Sequence, residues 1–284
     1  MEVVGELRWY GRLLNKSLNE LRIVVLSDWH YGNPLCSVKH IQRTLDFVKE
    51  YEDVYVILNG DLIEAVTKLS KGDIHKQEIT PQEQAIAVYD MLEPIKDKVL
   101  SMTTGNHEMR IYNEVGHDYS KEIADKLKVP YRPEGVLQKI MFGCGNNRMP
   151  DKPFVFWGYC THGYGGARTK SAKAVKVERA STWVRADFTA MSHDHVVNAA
   201  PDLDLTPDNR GTVDPKTGFM SGKIVAHNKR LIKTNAYLKW GGYSELGGFP
   251  PTELTAPVIW LLTPKSDKWG MFLDKPRQAV RVTV

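Results

Sequence analysis

The chain has 284 residues, 42% hydrophobic and 25% charged, an ordinary soluble composition with room for one large domain or two small ones. Its net charge of +4 and pI near 8.8 suit anionic substrates but are too small to demand nucleic acid. No apolar run approaches the roughly 18 residues that span a bilayer, residues 1–16 do not read as a secretory signal, and the scattered Cys36, Cys144 and Cys160 make neither a disulfide framework nor a thiolate zinc site, so a cytoplasmic home is the default.

The first half alternates strand and helix patterns. "RIVVLS" reads as a strand. "SVKHIQRTLDFVKEYE" follows, with Val38, Ile41, Leu45 and Val48 at helical spacing and Ser37 as N-cap. "VYVILNG" is the next strand. "TPQEQAIAVYDMLEPI" opens with Thr80 as cap, Pro81 at the first helical position and Glu83 completing a capping box. "VLSMTTG" is a third strand and "HDYSKEIADKLK" a third helix. This order predicts a mostly parallel sheet flanked by helices.

The second half offers short strand-like runs: "VLQKIMFG", "PFVFWGYCTHG", "ADFTAMSHDH", "KIVAH", "RLIKTNAYLKW" and "APVIWLL". Only "RTKSAKAVKVERASTW" looks helical. The pattern predicts a second sheet, largely antiparallel, packed on the first. Residues 201–222, dense in Pro, Gly and Asp, are expected to form a loop or hairpin excursion within a single domain covering 1–284. No heptad or long exposed apolar face stands out as an oligomer interface.

Open parallel sheets place ligands at the carboxyl ends of their strands. Here the first strand ends in Asp28 and His30, the second in Gly60-Asp61, and the third in Gly105-Asn106-His107-Glu108. Later strands end in His162-Gly163 and in His193 and His195. Each piece alone is ordinary turn chemistry; the recurrence at successive strand ends is not. Carboxylates can bridge two cations, while imidazoles and an Asn carbonyl suit divalent transition ions. Two ions clamp the attacking and leaving oxygens of a displacement at phosphorus.

At "SDWH", "NGDLIE", "TGNHE", "THG" and "SHDH" the chain resembles the calcineurin-like metallophosphoesterase superfamily, including its DNA-processing nucleases. The resemblance runs from Asp28 to His195. It implies an α/β fold, a four-layer α/β/β/α sandwich of two mixed sheets flanked by helices. It also implies two divalent metal ions: Asp28, His30 and His195 on the first, Asp61 shared, and Asn106, His162 and His193 on the second. A metal-bridging hydroxide would be the nucleophile. His107 would face the scissile phosphate and protonate the leaving oxygen, with Glu64 orienting it. Mn2+ is the expected ion, with Fe, Zn, Ni or Co as alternatives.

Ser192 stands where the family's last motif has Gly. The arginines by which its phosphoprotein phosphatases grip a phosphomonoester are missing after Asp61 and at Thr104. The reading is therefore a phosphodiesterase acting on DNA or RNA, without a membrane partner. The alternatives are a phosphomonoesterase for phosphoprotein or nucleotide, and a non-catalytic binding module. Arg110, Arg168 and Lys170 are the expected substrate-binding cations. The last two belong to a broad basic flank with Lys173, Lys176 and Arg179, and "GGARTKS" is not a P-loop. Trp240, Tyr243 and Phe249 could stack on bases, and Tyr31, Tyr112 and Tyr164 lie near the motifs.

Overall fold

Leu21–Leu26 is apolar at nearly every position because both of its faces are covered. In a computed structural model, which describes residues 5–68, 70, 74–145, 151–246, 248–271 and 278–284, Ile23 and Val25 point into a core between two sheets. Val24 and Leu26 point into a core beneath helices.

In chain order the elements are β1 (Trp9–Leu13), β2 (Glu20–Leu26), α1 (Val38–Glu50), β3 (Val54–Asn59), α2 (Pro81–Leu92), β4 (Val99–Thr103), α3 (Asn106–Val115), α4 (Tyr119–Leu127), β5 (Val136–Phe142) and β6 (Phe154–Thr161). Then come α5 (Lys170–Ser181), β7 (Phe188–Met191), β8 (Asn198–Val213), β9 (Met220–Lys233), α6 (Tyr243–Leu246), β10 (Val258–Leu262) and β11 (Ala279–Thr283). One sheet runs β11-β10-β2-β3-β4 and the other β1-β5-β6-β7-β9-β8. Both are mixed. Ile41, Leu45 and Val48 of α1, Val88 and Leu92 of α2, and Ile123 and Leu127 of α4 cover the first sheet. Val177 and Ala180 of α5 pack on Met191 and Leu231 of the second. The layers are therefore α/β/β/α.

The second sheet is less antiparallel than the sequence suggests. β1–β5, β6–β7 and β7–β9 pair in parallel, and only β5–β6 and β8–β9 are antiparallel. The α5 crossover between β6 and β7 permits the parallel pairing. The excursion expected at 201–222 is the hairpin alternative. It is longer than expected, since β8 and β9 pair from Asn198↔Lys233 to Val213↔Met220, and "KIVAH" lies inside it. Residues 209–226 are exposed throughout. Leu203, Leu205, Ile224 and Met220 share one exposed face, an apolar surface that the sequence reading missed. Thr80 and Glu83 form the expected capping box, whereas Ser37 makes no side-chain cap bond. Among the described residues no helix is long and apolar enough to cross a membrane.

The parallel register places the site. Leu26 pairs with Leu58 and Asn59 with Thr103, so three strands end level. Gly60 and Gly105 then pass backbone against backbone. A Cβ on Gly60, at φ +80°, would lie 2.4 Å from Gly105 N.

Candidate metal centre

Asn59 joins the two sheets below the site. Its amide donates to Thr161 O at 2.8 Å and to Ser192 Oγ at 2.6 Å, and its Oδ1 accepts from Thr103 at 3.0 Å. Ser192 also accepts from Thr234 Oγ1 at 2.8 Å. The serine that replaces a family glycine thus carries a buried hydroxyl network.

Above this floor the strand-end residues converge. Asp28, His30 and His195 form one group whose donor atoms lie within 4.8 Å of one another, and Asp61, His162 and His193 form another. His195 Nε2 lies 3.2 Å from Asp28 Oδ1 and 3.1 Å from His30 Nε2. Asp61 Oδ2 lies 3.1 Å from His162 Nε2 and 4.0 Å from His30 Nε2, between the groups. Asn106 Oδ1 is 2.7 Å from His193 Nδ1 and 3.2 Å from His162 Nε2. The structure therefore brings together all seven residues singled out by sequence.

The outer contacts aim these imidazoles. His162 Nδ1 donates to Asn59 O at 2.8 Å, and His193 Nε2 to Gly165 O at 2.6 Å. A carbonyl only accepts, so those ring nitrogens carry a proton and the opposite ones, His162 Nε2 and His193 Nδ1, are the atoms turned toward the centre, where a bound metal would require them unprotonated. His30 Nδ1 is likewise 3.0 Å from Glu64 Oε2. Asp28 Oδ2 accepts the His193 N–H at 3.2 Å, whereas its Oδ1 is buried without a hydrogen-bond partner. An orphaned buried carboxylate oxygen facing an imidazole is what an absent cation would explain. The donor set fits two divalent ions.

Charge and backbone agree. Burial pushes the Asp28 carboxyl up, but the His195 imidazole, 3.2 Å from Oδ1, outweighs it and holds it at about 2. Asp61 is held well below the carboxylate range, because the charges of His162 and His107 overcome burial. Burial and the His107 charge lower His30; burial and the His162 charge lower His193. His162 goes the other way. Burial pulls it down, yet Asp61 raises it to about 10. Asp28, His30, Asp61, His193 and His195 all have left-handed backbones, with φ of 52°, 50°, 52°, 72° and 52°. Asp and His tolerate this region better than most residues.

A cleft of ≈ 920 Å³ opens on the centre, lined among others by Asp61, His107, Arg110, Trp240 and Phe249. His107 Nδ1 donates to Glu64 O at 2.6 Å, and its ring packs edge-on against His30. The Glu64 carboxylate, expected to orient His107, is nearer His30: Oε2 is 3.7 Å from His107 Nδ1 against 3.0 Å from His30 Nδ1. Position 64 therefore orients both rings, by different atoms. His30, Glu64 and His107 also lie close enough to hold an ion, but this carboxylate is already engaged with His30.

Arg110 Nη1 donates to Ala65 O at 3.3 Å on the cleft wall. Arg168 lies over the Phe249 ring at 4.5 Å, so that ring is already stacked. Lys170 is exposed at the start of α5 and does not line the cleft. Trp240 is half-exposed and donates Nε1–H to Phe249 O at 2.8 Å. The Tyr243 side chain lies outside the described residues. Lys173 and Lys176, read as outward flank, turn inward onto Asp194, with Lys173 Nζ bonding its carbonyl at 2.9 Å and Lys176 Nζ its Oδ1 at 2.7 Å.

Glu108 has a role that its motif alone did not assign. Its Oε1 accepts from the backbone N–H of Leu62 at 2.7 Å and Ile63 at 3.3 Å, and its Oε2 from Asp61 at 3.0 Å and Gly105 at 3.1 Å. One buried carboxylate thus shapes the turn that presents Asp61. The signal was its place next to His107 within the motif.

Residues 21–196 match a family model described as calcineurin-like phosphoesterase. Comparison with curated proteins gives no match. Similar solved structures include a predicted phosphoesterase from Streptococcus pneumoniae TIGR4, at 11% identity over 86% of this chain and 84% of that one, TM-score 0.37. Vps29 of Entamoeba histolytica complexed with Zn2+ shares 10% identity over 93% and 98%, TM-score 0.33. A metallophosphoesterase from Sphaerobacter thermophilus shares 14% over 92% and 86%, TM-score 0.34. Likenesses this distant carry no argument about chemistry.

Proposed function

The chain belongs to the calcineurin-like phosphoesterase family, and from that premise we propose that it cleaves phosphodiester bonds, with nucleic acid as the substrate class. It is a metal-dependent hydrolase of phosphate esters with a binuclear site. In the proposed assignment Asp28, His30 and His195 would hold one Mn2+ ion, Asn106, His162 and His193 would hold the other, and Asp61 would serve both. The whole chain acts as one domain, since both sheets supply ligands. When bound, the ions supply Lewis acidity at the phosphoryl oxygens and make water a nucleophile near neutral pH.

The protein's own groups do the rest. His107 keeps one proton on Nδ1 against Glu64 O, so that as an imidazolium it would deliver its second proton, from Nε2, to the leaving oxygen and become neutral. Glu64 fixes the His30 ring. The cleft gives the ester room well beyond one phosphoryl group.

The observation that carries the diester reading is the identity of the residues following Glu64 and preceding Gly105. Position 65 is a buried Ala, and position 104 is a buried Thr bonded to Ser120 Oγ at 3.0 Å. Neither offers the guanidinium that would grip a phosphomonoester dianion. Arg110 favours the second reading, a phosphomonoesterase, because its guanidinium does line the cleft. Mn2+-loaded protein should hydrolyse bis-p-nitrophenyl phosphate faster than the monoester and cut labelled single- or double-stranded DNA or RNA. A preference for the monoester would overturn the diester assignment; diester cleavage with intact polynucleotides would overturn nucleic acid.

A further inference from the structure

Behind the loop that carries His193 and His195 lies a cluster of buried charge unused by the chemistry above. Asp194, between the two histidines, is 6% exposed; Lys233 of β9 is 0% and Lys173 of α5 is 2% exposed. Lys233 Nζ forms an ion pair with Asp194 Oδ2 at 2.7 Å and donates to Ser192 O at 2.7 Å. Lys176 Nζ holds Oδ1 at 2.7 Å, and Lys173 Nζ holds the Asp194 carbonyl at 2.9 Å. Three ammonium groups from two elements thus converge on Asp194 and, through Lys233, on Ser192 two residues before it in the same loop. Burying such groups is costly unless each is paired. An apolar plug would hold α5 against β9 at lower cost, so the arrangement calls for a reason beyond cohesion.

The loop geometry supplies one. His193 and His195 flank Asp194 with left-handed backbones, φ 72° and 52°. They serve different donor groups, His193 with Asp61 and His195 with Asp28. A shift of Asp194 would therefore move both imidazoles together.

We propose that Lys173, Lys176 and Lys233 are positioning residues that clamp Asp194 and thereby set His193 and His195 at the spacing two ions require. The proposal rests on the binuclear reading above. The clamp acts through the histidines, and its members Lys173 and Asp194 also line the cleft.

The test is Co2+ titration of metal-stripped full-length protein, followed by the visible spectrum and isothermal calorimetry, with circular dichroism to check folding. Wild type is expected to take up two ions. Lys176→Met and Asp194→Asn are expected to bind Co2+ about 10–100-fold more weakly, the usual range for losing an outer partner of a metal ligand, with shifted absorption bands. Lys176→Arg, which keeps the ion pair, should restore affinity and spectrum. Lys176 is the most accessible of the three, with a side chain 12% exposed, so its Met variant keeps the test open if Asp194→Asn does not fold. A folded Lys176→Met protein that binds two Co2+ ions with wild-type affinity and spectrum overturns the clamp while leaving the binuclear reading intact. A wild type that takes up no pair of ions removes that reading, and the clamp with it.

Discussion

Asp61 Oδ1 accepts the backbone N–H of His107 at 2.8 Å, while Oδ2 of the same carboxylate lies 3.1 Å from His162 Nε2. One side chain thus sets the distance between the proposed shared metal ligand and the proposed acid. His107→Ala keeps that backbone N–H. It is expected to lower kcat on bis-p-nitrophenyl phosphate by about 10²–10⁴-fold with metal content unchanged. Turnover measured beside elemental analysis checks this; metal lost along with activity would make His107 a ligand.

Glu108→Gln turns an acceptor of four backbone N–H groups into an amide with a donor at one end. At least one of those N–H groups would then face another donor in a buried turn. The expected cost is about 1–3 kcal/mol of stability, read from urea unfolding of the metal-free protein. An unchanged midpoint would show that the turn holds without it.

Gly105→Ala should be worse for the site than for the fold. A Cβ there would lie 2.1 Å from Asp61 Oδ1 and 2.2 Å from Asp61 N. Asp61 must move, so elemental analysis of the folded variant should find fewer than two ions per chain. Full occupancy would mean that the strand ends can part without disturbing the carboxylate.

Proton release follows from His162. In the metal-free protein its imidazole titrates near 10, well above its ordinary 6.5. Its contribution to stability is fully present below the unfolded value and is lost as pH rises through the folded one, between about 6.5 and 10. Asp28, held at about 2 against 3.8, contributes in the opposite sense: its share is present above 3.8 and lost as pH falls toward 2. An ion must displace the His162 proton, so metal uptake at pH 7 should release protons. Calorimetry in two buffers of different ionisation enthalpy measures this, and identical heats would refute it.

The ligand types and their strand ends were legible in sequence because parallel strands deliver their carboxyl ends to one edge. Asp28, Asp61 and Asn106 needed only the register. The hairpin was less legible. Pro201 and Pro207 lie in β8, an edge strand, where a missing N–H costs no ladder bond, so strand residues read as loop. β1 was missed because it is a half-exposed edge strand with charge in its pattern. Lysine spacing on α5 could not say which ammonium groups face inward, since their acceptor is supplied by another part of the chain. Nor could it be foreseen that Glu64 would divide its work between a carboxylate and a carbonyl.

The left-handed conformation of five of the seven donor residues narrows what mutation can offer there. Valine, isoleucine or threonine would be refused by the backbone at positions 28, 30, 61, 193 and 195 before any coordination chemistry was consulted. Glycine would relax the chain and deliver no donor at all. Drift at these positions is thus confined to a small alphabet, in which the residues that fit and the residues that bind are nearly the same.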